Sequence, residues 1–210
     1  MISTLAQLRA LYAAPGERAL RKQLARLDVH ARRFIELAPF CVIASAGGGT
    51  ALLDVSPRGG APGFVKTSDD GASLLLPDSG GNNRLDTMEN LLADPRISMI
   101  FMVPGVDETL RVNGTAQLRD EPSFTEVFVQ ERQKPKLVIE VAVAEAYLHC
   151  AKAFMRSQLW QPESRASRDV LPSMNQMVHD QLGEAAPTET QAQMTERFRL
   201  QLAQEQSRAS

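Results

Sequence analysis

At Phe40 the chain changes its hydrophobic period, and that change decides what it can fold into. Before it, Leu5, Leu8 and Leu11 and then Leu20, Leu24 and Leu27 recur every three or four residues, the spacing of amphipathic helices. Ser3 is a cap for the first of them, and Asp28 caps a later turn carrying Phe34, Ile35 and Leu37 until Pro39 stops it. From Phe40 the pattern is that of strands: FCVIASA, TALLDVS, FVKTS, ASLLLP, RISMIFMV, ETLRVNGTAQL and KLVIEVAVAEAYL. Gly47-Gly48-Gly49 predicts a tight hairpin, SPRGGAPG a loop, and Asp70-Gly71 another turn, so the first four strands read as a meander. In ETLRVNGTAQL, Leu110, Val112, Gly114 and Ala116 alternate with Arg111, Asn113 and Thr115, which predicts a strand buried on one face. Helical spacing returns only in NNRLDTMENLLADP, in residues 121–132 and in AKAFMRSQLW, so the expectation is a mainly β chain with flanking helices.

Composition narrows the function classes. A chain of 210 residues, 43% hydrophobic and 23% charged, has the make-up of an ordinary globular domain with extensions. We divide it into an N-terminal helical extension (1–38), a strand-rich domain (39–160) and a C-terminal helical arm or tail (161–210), where Pro162, Pro172 and Pro187 separate Gln-rich stretches. The net charge of -2 gives no counterion-release advantage on nucleic acid, and the seven basic residues of the leader, against three acids, read as a solvated helix face, with an anionic partner as the alternative. Cys41 and Cys150 lie in apolar segments and form no disulfide framework, so both are expected to be buried thiols in a reducing cytosol. No stretch approaches the roughly 20 apolar residues that span a bilayer, which points to a cytoplasmic protein with no membrane partner.

Most chemical motifs fail on their spacing. Gly47-Gly48-Gly49 leads into a strand rather than a helix, so it makes no dinucleotide cradle, and GAPGFVKT separates its glycine from Lys66 and makes no P-loop. His30, His149 and His179 are scattered, neighbouring His149 and Cys150 point to opposite faces of a strand, and no GxSxG elbow occurs. What remains is LLLPDSGGNNRLDT, where a strand empties through glycines into the first turn of a helix bearing Asn82, Asn83 and Arg84. Free amides, the positive end of a helix dipole and a guanidinium together suit one phosphate group. The same residues also fit an Asn-capped helix with Arg84 paired to Asp86 and no ligand at all.

The succession DVSPRGGAPGFV, LLLPDSGGNNRLDTMENLLADPRISMIFMVPG, ETLRVNGTA and YLHCAKAFMRSQLW, from about Phe34 to Trp160, resembles the pyridoxamine 5'-phosphate oxidase-like flavoproteins, in their flavin-nucleotide-binding branch. The resemblance implies an antiparallel split β-barrel of six or seven strands, and a homodimer holding flavin mononucleotide (FMN) at the subunit interface. By position it puts Ser56, Pro57 and Arg58 by the isoalloxazine or ribityl chain, Pro77 and Asp78 at the ring edge, and Asn82, Asn83 and Arg84 at the phosphate. Lys152, Arg156 and Trp160 are the expected contribution of the other subunit; the other reading of that segment is a barrel-end helix with Phe154 and Leu159 in the core and its cations solvated. The function implied is an FMN-dependent oxidoreductase acting on a small molecule whose identity stays open, with a non-catalytic flavin carrier or sensor as the alternative and haem or deazaflavin binding behind both. No side chain stands out as a catalytic acid or base. The vitamin B6 oxidases end in an arginine-bearing strand, whereas this chain continues past Trp160 into SRASRDVLPSMNQMVHDQLG, a departure that argues against B6 oxidation.

Overall fold

The computed structural model describes residues 1–49, 51–129 and 134–207. Thr50, which opens the second expected strand, and residues 130–132 of the expected helix lie outside the described residues. Three helices come first: α1 (Leu5–Leu11), α2 (Glu17–Arg21) and α3 (Val29–Leu37). Thr4, not Ser3, caps α1, because its hydroxyl accepts from the Gln7 amide while the Gln7 side chain accepts from the Thr4 amide. Asp28 caps α3 as expected, accepting from the Ala31 amide at 2.8 Å. While α1 and α2 bury nothing, α3 turns Ala31 and Ile35 into the core. Leu27 just before it is buried, and its amide donates to the Gly71 carbonyl at 2.9 Å.

Seven strands follow: β1 (Phe40–Ala46), β2 (Leu53–Gly59), β3 (Lys66–Thr67), β4 (Ser73–Pro77), β5 (Arg96–Met102), β6 (Thr109–Arg119) and β7 (Val138–His149). They form one antiparallel sheet in the order β2-β1-β5-β6-β7-β4-β3. The sheet is not closed, and β2 and β3 are its edges: the architecture is the split barrel. The expected meander of the first four strands does not form. Strand β3 is only two residues long and pairs with β4 alone, while the long strands β5 and β7 take the free sides of β1 and β4. Nor is the glycine turn tight, since β1 ends at Ala46 and β2 begins at Leu53. The expected SPRGGAPG loop starts late as well, because Ser56, Pro57, Arg58 and Gly59 continue β2. A proline is tolerated there because an edge strand has one open side.

Paired residues share a sheet face, so the registers sort the side chains. Cys41, Ile43, Leu74, Leu76, Met99, Phe101, Val112 and Val141 all point inward, with 1% exposure or less. Each contributes about 1.5–3 kcal/mol if it is of valine size or larger. Helix α4 (Asp86–Ala93) closes this core with Met88 and Leu91, packing on β1 and β6. After β6, α5 (Pro122–Thr125) and a short 3-10 turn bury Thr125 and Phe128. Beyond β7 come α6 (Lys152–Ser157), α7 (Met174–Leu182) and α8 (Gln191–Ser207), of which α8 buries Met194. Cys150 is exposed rather than buried, because β7 ends at His149 and the apolar pattern ends with it. Among the described residues, no helix is long and apolar enough to cross a membrane.

Candidate functional site

Strand β2 reaches its open edge with Ser56 and Arg58 on the inward face, half-buried, and Pro57 on the other. The Arg58 guanidinium folds back along its own strand and then spans to α4. Its Nη1 donates to the Ser56 hydroxyl and, at 2.9 Å, to the Pro57 carbonyl, and its Nη2 donates to the buried Thr87 hydroxyl at 3.2 Å. At the far side of the sheet β4 ends at Pro77, and the Asp78 amide donates to the Leu137 carbonyl at 2.9 Å, which ties the exit of β4 to the entry of β7. From there the chain runs through Ser79, Gly80 and Gly81 to Asn82, Asn83 and Arg84.

This last segment differs from its expected form. Helix α4 starts at Asp86, so Asn82, Asn83 and Arg84 form the turn before it rather than its first turn. Asn83 (φ 60°) and Leu85 (φ 56°) are both left-handed, and that pair swings the chain round into the helix. The Asn82 side chain accepts from the Arg84 amide at 3.1 Å. Arg84 donates from Nε to Asp86 at 2.8 Å while its side chain stays exposed, which is the pairing that the ligand-free reading of the segment anticipates.

Between these pieces lies a cavity of about 810 Å³. It brings together Ser56, Pro57, Arg58, Pro77, Asp78, Asn82, Asn83 and Arg84, residues from two separate stretches of sequence. Sequence reasoning missed part of its wall: Phe64, Thr87 and Met88, and above all Lys134 and Lys136, which flank Pro135 just ahead of β7. Two lysines around a proline at a strand entry were a readable signal of charge held at a strand end. Four cations, Arg58, Arg84, Lys134 and Lys136, thus face two carboxylates, Asp78 and Asp86. Partial burial pushes the Asp78 carboxyl above its ordinary range, and the charge of Arg58 only partly pulls it back. Nearby, burial pushes the Cys41 thiol up to about 12, so it is no nucleophile at neutral pH.

Lys152, Arg156 and Trp160 do not line this cavity within one chain. They sit on and after α6, where the Trp160 ring stacks on Phe154 at 5.3 Å and its Nε1 donates to the Val106 carbonyl at 3.0 Å. Lys152 and Arg156 are exposed; Phe154 is only half-buried and Leu159 exposed, so neither joins the core. A second groove, about 640 Å³, lies on the other side of the Gly80–Asn82 turn against α8, between Arg197, Phe198 and Gln201. Among the described residues, no group of His, Cys, Asp and Glu is arranged to hold a metal ion.

The sequence model of the pyridoxamine 5'-phosphate oxidase family matches residues 27–150. Comparison with curated proteins finds no match. Among solved structures, the chain is similar to a histidine variant of HupZ from Group A Streptococcus, 15% identical, with a TM-score of 0.48 over 59% of this chain and 99% of that one. It is similar also to a candidate pyridoxamine 5'-phosphate oxidase from Lactobacillus delbrueckii, 15% identical, TM-score 0.45, over 60% and 98% of the two chains. A third is a Clostridium acetobutylicum protein related to general stress protein 26, 10% identical, TM-score 0.43, over 58% and 86%.

Proposed function

Because the chain belongs to the pyridoxamine 5'-phosphate oxidase family, we propose that it is a flavoprotein that holds FMN in the cavity between β2, the end of β4 and the start of α4. One observation carries the reading: the two stretches expected to meet the cofactor, 56–58 and 77–84, are far apart in sequence and line the same cavity. The cavity fits the group in size and chemistry. Its volume lies within the range of about 300–1,000 Å³ usual for small-molecule sites, and its cations outnumber its carboxylates. A Cβ added at Gly81 would meet no heavy atom within 4 Å, so the turn leaves open space for a ligand beside its backbone.

In this reading Asn82, Asn83 and Arg84 hold the phosphate, and Ser56, Pro57 and Arg58 lie by the ring or ribityl chain. Pro77 and Asp78 lie at the ring edge. Bound flavin supplies hydride or single-electron exchange with a small substrate, which makes the protein an FMN-dependent oxidoreductase. Arg58, fixed to Ser56 and Thr87, contributes standing positive charge that favours an electron-rich ring. Lys136 adds anion-binding capacity to the cavity wall, while Lys134 beside it is paired with Glu126 at 3.6 Å. The working unit is a cytoplasmic homodimer, in which Lys152, Arg156 and Trp160 of one protomer complete the cavity of the other.

The visible spectrum of the purified protein tests the cofactor, and bleaching by NADH or NADPH followed by many cycles of reoxidation tests turnover. A single stoichiometric bleaching would mark a carrier instead. Arg84→Ala is expected to weaken FMN retention by at least ~1.5 kcal/mol, the lower range for a hydrogen bond to a charged group. Riboflavin binding should change little in the same variant. Equal retention of FMN by the variant and the parent would remove Arg84 from the site.

A further inference from the structure

On the outer face of β6 and β7, remote from the cavity, three nitrogen-bearing side chains gather around one ring. Arg111 on β6 and Tyr147 on β7 are register partners, and the Arg111 guanidinium lies over the Tyr147 ring, 4.3 Å from its centroid. Lys22 reaches the same ring, its Nζ 5.1 Å from the centroid. It is brought there by a local docking: Leu24 and Ala146 exchange backbone hydrogen bonds at 2.9 and 2.8 Å, and the Lys22 ammonium donates to the Leu148 carbonyl at 2.7 Å. His149, two residues on from Tyr147, brings its imidazole to 5.0 Å from the phenol ring.

This cluster gathers positive charge with no carboxylate paired to it among the described residues. Arg111 Nε and His149 Nε2 are two of the three buried side-chain nitrogens that lack a hydrogen-bond partner among the described residues. The charges that act on His149 are both positive, Arg111 and Lys22. Glu145 stands on the same face of β7, but its carboxylate accepts from Asn113 at 2.8 Å, and Asn113 in turn accepts from Ser98 at 2.7 Å. Asp107 and Glu108 precede β6 and form no ion pair with Arg111, Lys22 or His149 among the described residues. Unopposed like charges on a rigid sheet destabilise the chain by themselves, and an anionic oxygen set against exposed Lys22 and part-exposed Arg111 offsets that repulsion without having to reach the two buried nitrogens.

We propose that Arg111, Lys22 and His149, arrayed around Tyr147, form an oxyanion site that takes the phosphate or carboxylate group of a small ligand. Arg111 supplies the planar fork over the ring, and Lys22 a point charge anchored at the Leu148 carbonyl. His149 is the adjustable member. Its burial first, and then the charges of Arg111 and Lys22, hold its pKa below the usual imidazole value, and protonation at lower pH adds a third charge. Anion affinity therefore rises as the pH falls.

The experiment is a titration of the full-length protein with inorganic phosphate, read on the His149 imidazole resonances by NMR, with chloride at matched ionic strength as the control. Phosphate is expected to shift the resonances saturably and to raise the His149 pKa, since a bound anion offsets the two cations that depress it. Arg111→Gln should weaken phosphate binding at least about tenfold, the equivalent of one hydrogen bond to a charged group. Lys22→Gln, at an exposed position, should weaken it several-fold with the fold intact. Identical responses to phosphate and chloride, or unchanged phosphate binding in the Lys22 variant, would overturn the proposal. Competition separates the two sources of the oxyanion. Displacement of phosphate by FMN but not by riboflavin would give the site to the mononucleotide and overturn the phosphate role of Asn82, Asn83 and Arg84, and displacement by neither would assign it to a separate ligand.

Discussion

Asp78 is half-buried beside Arg58, and partial burial makes its carboxyl hold its proton more tightly than the unfolded carboxyl does. Between the ordinary value of 3.8 and the higher folded value, the folded chain binds more protons than the unfolded one. Stability therefore falls as pH rises through that window and stays lower above it. Asp78→Asn removes the charge and keeps an acceptor, so it should raise the melting temperature at pH 7. The gain should shrink towards zero as the pH approaches 3.8. A lower melting temperature at pH 7 would show that the carboxylate is held by partners worth more than its desolvation. At this scale the sequence singled out Ser56, Arg58, Asp78 and Arg84, whose types and order carried the family resemblance, and the fold brings them to one cavity. It was a poor guide to Thr87 and Lys134, since a hydroxyl inside a helix and a lysine in a loop gain their meaning only from what the sheet places opposite them.

The elements follow local rules wherever neighbours do not compete for the same partners. Alternation in β6 and the Asp28 cap of α3 were legible because each is fixed within a few residues. Strand order was not, because which strand takes the free side of β1 depends on distant lengths and registers. Nor was the bulge at Asn113 and Gly114, where β6 shifts register against β7. A Cβ at Gly114 would stand 2.1 Å from the Ala142 carbonyl oxygen, which belongs to a backbone that cannot turn aside. Gly114→Ala should therefore cost about 1–3 kcal/mol or more in a urea denaturation, the range for forced overpacking. An unchanged midpoint would mean that the two longest strands slide freely at the bulge.

For the molecule as a whole, the outer face of β2 is the anomaly. Leu53 is 76% exposed and Val55 67%, and β1 and β5 extend the patch with Ala44, the register partner of Val55, and with Val42 and its partner Ile100. Such a surface suits a second copy of the chain. Val55→Asp is expected to convert the proposed dimer to a monomer in light scattering while the far-ultraviolet circular dichroism stays unchanged, because in one protomer the residue touches mostly solvent. A variant that remains dimeric would place the interface elsewhere. The registers of β1 with β2 also decide whether there is any chemistry to protect. Arg58 looks into the cavity and Pro57 away from it only because Arg58 lies opposite Cys41. One residue inserted within β2 would trade their places and turn the guanidinium out into bulk water, whereas the same insertion between Ala46 and Leu53 would be absorbed by the connection. That connection can thus change in length without cost to the cavity, while the strand beside it must keep count.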